Sequence, residues 1–182
     1  MSGLSEKLFV AIEQYESISE AIKANKNANI RANRQKLSIS QIVDVVLNPT
    51  KSANKDCLMV INQHLEYRRL YKQLINDSYA YYCPKQVAAS TEETILTRRA
   101  DAFELSVVTS DNYDDNDIQI VLSFDDDSHT LRDTANIHCF YQDSIFPLVL
   151  DQIAAKKYSA IISARDAIYM ALSHNDCEIF IR

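Results

Sequence analysis

Gly3 is the only glycine in 182 residues, and that scarcity removes whole classes of protein before any other feature is considered. Phosphate-cradling loops and dinucleotide fingerprints need several glycines, so that backbone without a Cβ can approach the phosphate. The strained nucleophile elbow of the α/β-hydrolases needs them too. Turns that require left-handed backbone must be built from Asn and Asp, which tolerate it better than other residues. The segments DNYDDND (111–117), FDDDSH (124–129) and SHNDCE (173–178) suit that role.

The chain is long enough for one ordinary domain or two small ones, and its 47% apolar content is that of a folded protein. Its apolar runs are too short to span a bilayer. The N-terminus interrupts its apolar residues with Glu6, Glu13 and Glu16, unlike a signal peptide. A cytoplasmic location is therefore expected. Cys57, Cys83, Cys139 and Cys177 are widely spaced, with no CxxC pair, and read as reduced residues, mostly small core side chains.

The net charge of −6 is unevenly divided. Residues 1–82 carry 11 Lys/Arg against 8 Asp/Glu, and residues 83–182 carry 8 against 17. Periodicity changes in the same place, which puts a boundary near Cys83–Pro84: a helical region over 1–82 and a β-rich domain over 83–182.

Three amphipathic helices are expected in the first region, at about 4–24, 39–48 and 53–81. In the first, Leu4, Leu8, Ile12, Tyr15, Ile18 and Ile22 recur at helical spacing. Ser38 or Ser40 can cap the second, and Asn48-Pro49 ends it. The third has an apolar side of Leu58, Ile61, Leu65, Leu70, Leu74 and Ile75, with Tyr67, Tyr71, Tyr79, Tyr81 and Tyr82 giving its later part an aromatic character. From residue 101 the period becomes two. Strands are expected at 103–107, 118–124, 136–141, 144–150, 158–163 and 178–182, with a short helix over 164–173. The fold class is thus α+β: N-terminal amphipathic helices, then an antiparallel β-sandwich-like domain with one late short helix.

Few side chains form a chemical constellation. His174 with Cys177, together with His138-Cys139, is the nearest approach to zinc spacing. Adjacent strand residues such as His138 and Cys139 point to opposite faces, so the set reads as structural. The acidic turns 111–117 and 125–127 could offer oxygens to calcium, yet they lack the EF-hand spacing and its glycine. Lys23, Lys26, Arg31, Arg34, Lys36, Arg68, Arg69 and Lys72 are sparse and attached to an acidic domain, and read as solvated cations rather than a nucleic-acid surface. No catalytic residue, cofactor or metal is assigned, and the expectation is a protein that is not an enzyme.

The amphipathic helices carry the stronger signal, since apolar stripes on tethered helices are a common way to grip a partner protein. The run Asp56-Cys57-Leu58-Met59-Val60-Ile61-Asn62-Gln63-His64-Leu65-Glu66-Tyr67-Arg68-Arg69-Leu70-Tyr71-Lys72-Gln73-Leu74 resembles a helix of bacterial anti-sigma factors. Ser40–Leu47 resembles the helix that precedes it there. The family's His-x3-Cys-x2-Cys zinc motif is absent, and no membrane span follows, so the likeness is to zinc-free, soluble members. It implies helices that clasp a sigma factor and a β-domain that senses or supports. The residues expected to meet the partner are Leu58, Ile61, Leu65, Tyr67, Arg68, Leu70 and Tyr71, with Arg68 fixing register against an acidic surface. The expected function is regulation by protein–protein contact, control of transcription included. The alternative is a ligand- or ion-binding β-domain whose helices mediate homodimerisation.

Overall fold

Ser38 sets the start of the first observed helix. Its hydroxyl accepts the Gln41 backbone N–H (3.3 Å), and the Gln41 side chain returns to the Ser38 N–H (2.9 Å), a reciprocal cap that satisfies two otherwise orphaned donors. This computed structural model describes residues 36–85, 97–109, 116–125, 131 and 133–182. The helix expected over 4–24 lies outside the described residues, as does most of the acidic turns 111–117 and 125–127. The chain forms two compact units, one ending at Ser78 and the other beginning at Tyr79.

The first unit contains α1 (Ile39–Leu47), α2 (Asn54–Gln63) and α3 (Leu65–Asn76). Helix α1 buries Ile42, Val45 and Val46. Asn54 joins α1 to α2: its buried amide donates to the Asp44 carbonyl (3.1 Å) and the Asn48 carbonyl (2.8 Å), closing the C-terminal end of α1. Asn54→Ala removes both side-chain bonds and leaves these carbonyls the backbone N–H groups of Asn48 (2.8 Å) and Lys51 (3.2 Å) alone. It should lower stability by about 1–3 kcal/mol, read as a shift in urea midpoint of the full chain.

The single helix expected over 53–81 is two helices. His64 adopts an extended conformation (φ −123°, ψ 116°), ends α2 and starts α3. On one straight helix Ile61 and Leu74 would stand roughly 140° apart; with the break, both are buried, as are Tyr71 and Ile75. The break also frees carbonyls at the end of α2, and the Arg68 guanidinium reaches back to the one on Asn62 (2.5 Å). Residues 77–80 leave the helix, and Tyr81 and Tyr82, expected on it, belong to a strand.

The second unit is an eight-stranded antiparallel sheet with one short helix. The strands are β1 (Tyr81–Cys83), β2 (Thr97–Ala100), β3 (Phe103–Thr109), β4 (Asp117–Phe124), β5 (Thr134–Tyr141), β6 (Ser144–Ala154), β7 (Lys157–Ser163) and β8 (Glu178–Ile181), and α4 (Ala167–Leu172) precedes β8. Their order is β1-β8-β5-β6-β7-β4-β3-β2, a single sheet curled until it is nearly barrel-shaped instead of two stacked layers. The curl brings β1 across to the far side of that order: Tyr81 packs on Phe124 (4.8 Å between ring centres) and Phe103 (6.2 Å).

Alternation fills the inner face. Phe103 and Leu105, then Ile118, Ile120, Leu122 and Phe124, then Ala135, Ile137 and Cys139 point inward with Leu150, Tyr158, Ile179 and Ile181. Side chains fill the described part of this inner face, as in other small barrels. The β5–β6 hairpin turns at Gln142 and Asp143, both with positive φ (45° and 60°), and Lys156 (φ 63°) turns β6 into β7. The glycine-poor chain thus uses Gln and Lys at such positions as well as the expected Asp. Pro147 is accommodated because β6 pairs only with β5 there, β7 joining from Asp151 onward.

Candidate functional site

The seven residues expected to meet a partner fall on both sides of the His64 break, and packing sorts them into two groups. Ile61 and Tyr71 are fully buried and belong to the interior. Tyr67 is half-buried, and its hydroxyl accepts the Leu37 N–H (3.3 Å), tying α3 to the residue before the Ser38 cap of α1. Its ring also meets His64 edge-on at 5.6 Å. Arg68, half-buried, closes the end of α2 as described. Each of these four therefore has a task within the helical unit.

Leu58 and Leu70 are half-buried. Leu65, the first residue of α3, is 50% exposed, an unusual position for a leucine that opens a helix beside a bend. Met59 on α2 is 55% exposed and was not among the expected contacts, because it shares the polar side of its helix with Asp56 and Gln63. Met59 and Leu65 are exposed, and Leu58, Val60 and Leu70 of the expected docking run are half-buried. Lys55 and Asp56 on α2 and Glu66 and Arg69 on α3 are exposed as well.

In the β unit, the groups with chemical potential lie inside. Arg98 on β2 is 2% exposed. Its Nε donates to the Leu172 carbonyl (2.9 Å), Nη1 to the Cys177 carbonyl (3.2 Å) and Nη2 to the His174 carbonyl. Leu172 is the last residue of α4, so the guanidinium serves as that helix's C-terminal cap and pins the 173–177 turn behind it. Sequence patterning gave no signal for this: TRRA reads as a polar segment, and strand β2 was not expected at all.

His138 is buried on β5, opposite Pro147 and Phe180. Burial, and next the positive Arg182, push its pKa down to about 3, so the imidazole is neutral at ordinary pH. Cys139 points to the inner face, away from His138, as strand alternation requires. His138 therefore faces away from the inner core that holds Cys139 and Cys177. Among the described residues no group of three or more His, Cys, Asp or Glu is placed to hold a metal ion, and no helix is long and apolar enough to cross a membrane.

No family model, curated protein or solved structure matches this chain.

Proposed function

We propose that the protein is a non-enzymatic, cytoplasmic regulator that works by gripping another protein with the bent α2–α3 pair, and that the partner is a sigma factor. The exposure of Leu65 and Met59 beside the bend carries this reading. Two large apolar side chains, each about half in water, are a standing hydrophobic cost for the free protein that docking removes. The partner class rests on the likeness of residues 56–74 to an anti-sigma helix. The bend refines that likeness, since the partner would meet two short helices at an angle and not one continuous rod. Leu58, Leu65 and Leu70 would anchor in the partner groove with Met59, whose flexible thioether adapts to irregular surfaces. Ile61 and Tyr71 would support from within, and Tyr67 and Arg68 would hold the bend.

The test uses the full chain and each sigma factor of the source organism, purified, in calorimetric titration. Wild-type protein should bind one of them. Replacing both exposed residues (Met59→Asp and Leu65→Asp) should weaken binding by about 2 kcal/mol or more, roughly thirtyfold. The urea midpoint should stay nearly unchanged, because both side chains are already solvated. Equal binding by wild type and variant would remove the docking surface. Failure of every sigma factor to bind would remove the partner class.

A further inference from the structure

We propose that residues 4–22 of this chain dock over Met59 and Leu65 in the free protein, and that a partner binding there must displace them. The displacement rests on the docking function proposed above, whereas the covering contact stands without it. Among the described residues Met59 and Leu65 stay 55% and 50% exposed, and apolar side chains so placed gain from being covered. Position, length and charge all point to this segment as the cover.

The segment enters the fold at α3. Leu37 follows the first described residue, Lys36, and its N–H donates to the Tyr67 hydroxyl (3.3 Å). The Tyr67 ring in turn meets His64, at the break from which Leu65 starts α3. Residues 23–35 join Ile22 to that entry, and a tether of this length spans roughly 20 Å. Met59 and Leu65 are six residues apart, so their Cα atoms lie at most about 22 Å from each other. As a helix, residues 4–22 run about 28 Å, long enough to cover both.

The chemistry matches as well. Leu4, Leu8, Ile12, Tyr15, Ile18 and Ile22 recur at helical spacing, and such a stripe needs an apolar surface to lie on. Between them Glu6, Glu13, Glu16 and Glu20 stand against Lys7 alone. Helices α2 and α3 carry Lys55, Arg68, Arg69 and Lys72 against Asp56 and Glu66. The two therefore bear opposite net charge and attract. A second copy would bring its own positive α2–α3 pair to the same surface, and like charges oppose that pairing. Tethering also gives the segment an effective concentration in the millimolar range, far above that of a second copy. The partner thus meets an open surface in only a fraction of molecules, and its apparent affinity falls by that fraction.

Methionine oxidation tests the cover in the native full-length chain. Met170 on α4 of the β unit is 63% exposed and reports the reactivity of an open thioether in the same sample. Under dilute hydrogen peroxide, with sulfoxide followed on each peptide by mass spectrometry, Met59 should oxidise roughly fivefold more slowly than Met170. The double variant Ile12→Asp and Ile18→Asp should bring the two rates together. Met59 reacting as fast as Met170 in the wild type would overturn the proposal. So would protection that survives in the variant, or protection that fades on dilution, the mark of a second copy. The wild-type rates and their dilution series need no variant to fold. The variant should also bind the sigma factor captured in the titration above about fivefold more tightly, and unchanged affinity would remove the displacement. A bound sigma factor with an unprotected Met59 removes the cover alone. A protected Met59 with no sigma factor bound leaves the cover standing and removes only the partner class.

Discussion

Replacing Arg98 with Met should lower the stability of the β unit by about 3–5 kcal/mol, among the largest effects of any single substitution. The guanidinium is buried and donates to the carbonyls of Leu172, His174 and Cys177. Hydrogen bonds from a charged donor contribute about 1.5–3 kcal/mol each, but three on one side chain are not additive. Met restores part of the packing while taking the charged donors from all three carbonyls, of which that of His174 keeps the Cys177 N–H (3.1 Å). What is stranded is neutral carbonyl oxygen and not an opposing charge, which keeps the loss near that of a broken buried network. Domains of this size are stable by about 5–15 kcal/mol, so the variant should unfold at much lower urea. Arg98→Lys should recover little, since an ammonium cannot present a planar fork to separated acceptors. Equilibrium urea unfolding gives the number, and hydrogen exchange at residues 173–177 should show the turn released in both variants.

Acid should weaken the fold through His138. In the unfolded chain this imidazole takes up a proton near pH 6.5, whereas in the folded protein it does so at about 3. The unfolded state therefore binds one more proton throughout that interval. The sign follows: the contribution is complete above about pH 6.5 and is lost as the pH falls towards 3, at roughly 1.4 kcal/mol per pH unit. Over the whole window the loss is on the order of a few kcal/mol. Carboxylates titrate at the lower end as well, so the difference between wild type and His138→Gln isolates the histidine. The variant should be less steep between pH 6.5 and 4.5, where few carboxylates change state. Parallel curves over that range would show that His138 does not govern the acid limb.

How far the sequence foretold this architecture depended on whether local pattern or distant contact set each element. Strands β3 and β4 alternate cleanly, Phe103 and Leu105 against Ile118, Ile120, Leu122 and Phe124, because one face is wet and the other packed. Ser38 and Asn48-Pro49 bracketed α1 for similarly local reasons. By contrast, β2 is four residues with two arginines, and only a carbonyl cluster more than seventy residues downstream makes Arg98 an interior residue. Tyr81 and Tyr82 fitted the end of an aromatic helix equally well, and pairing with β8 decided otherwise. The bend at His64 has no proline or glycine to announce it. It answers the need to bury both Ile61 and Leu74. Cys83, Cys139 and Cys177 were expected as core side chains and are buried together in the β unit, a grouping that depends on strand order, which no spacing along the chain reveals.

The two-residue Gln142–Asp143 turn has a consequence beyond its own geometry. It sets Tyr141 against Ser144 and, through that, the pairing of β5 with β6 as far as Thr134 and Asp151. In a strand each successive side chain changes face, so one inserted residue in β5 ahead of the turn would exchange the places of His138 and Cys139 unless a bulge absorbed it. The imidazole would be thrust among the inner apolar side chains, and the thiol carried out of them. The acid sensitivity of His138 and the packing of the barrel interior thus share one geometric origin, and a frame error at the hairpin would upset both together.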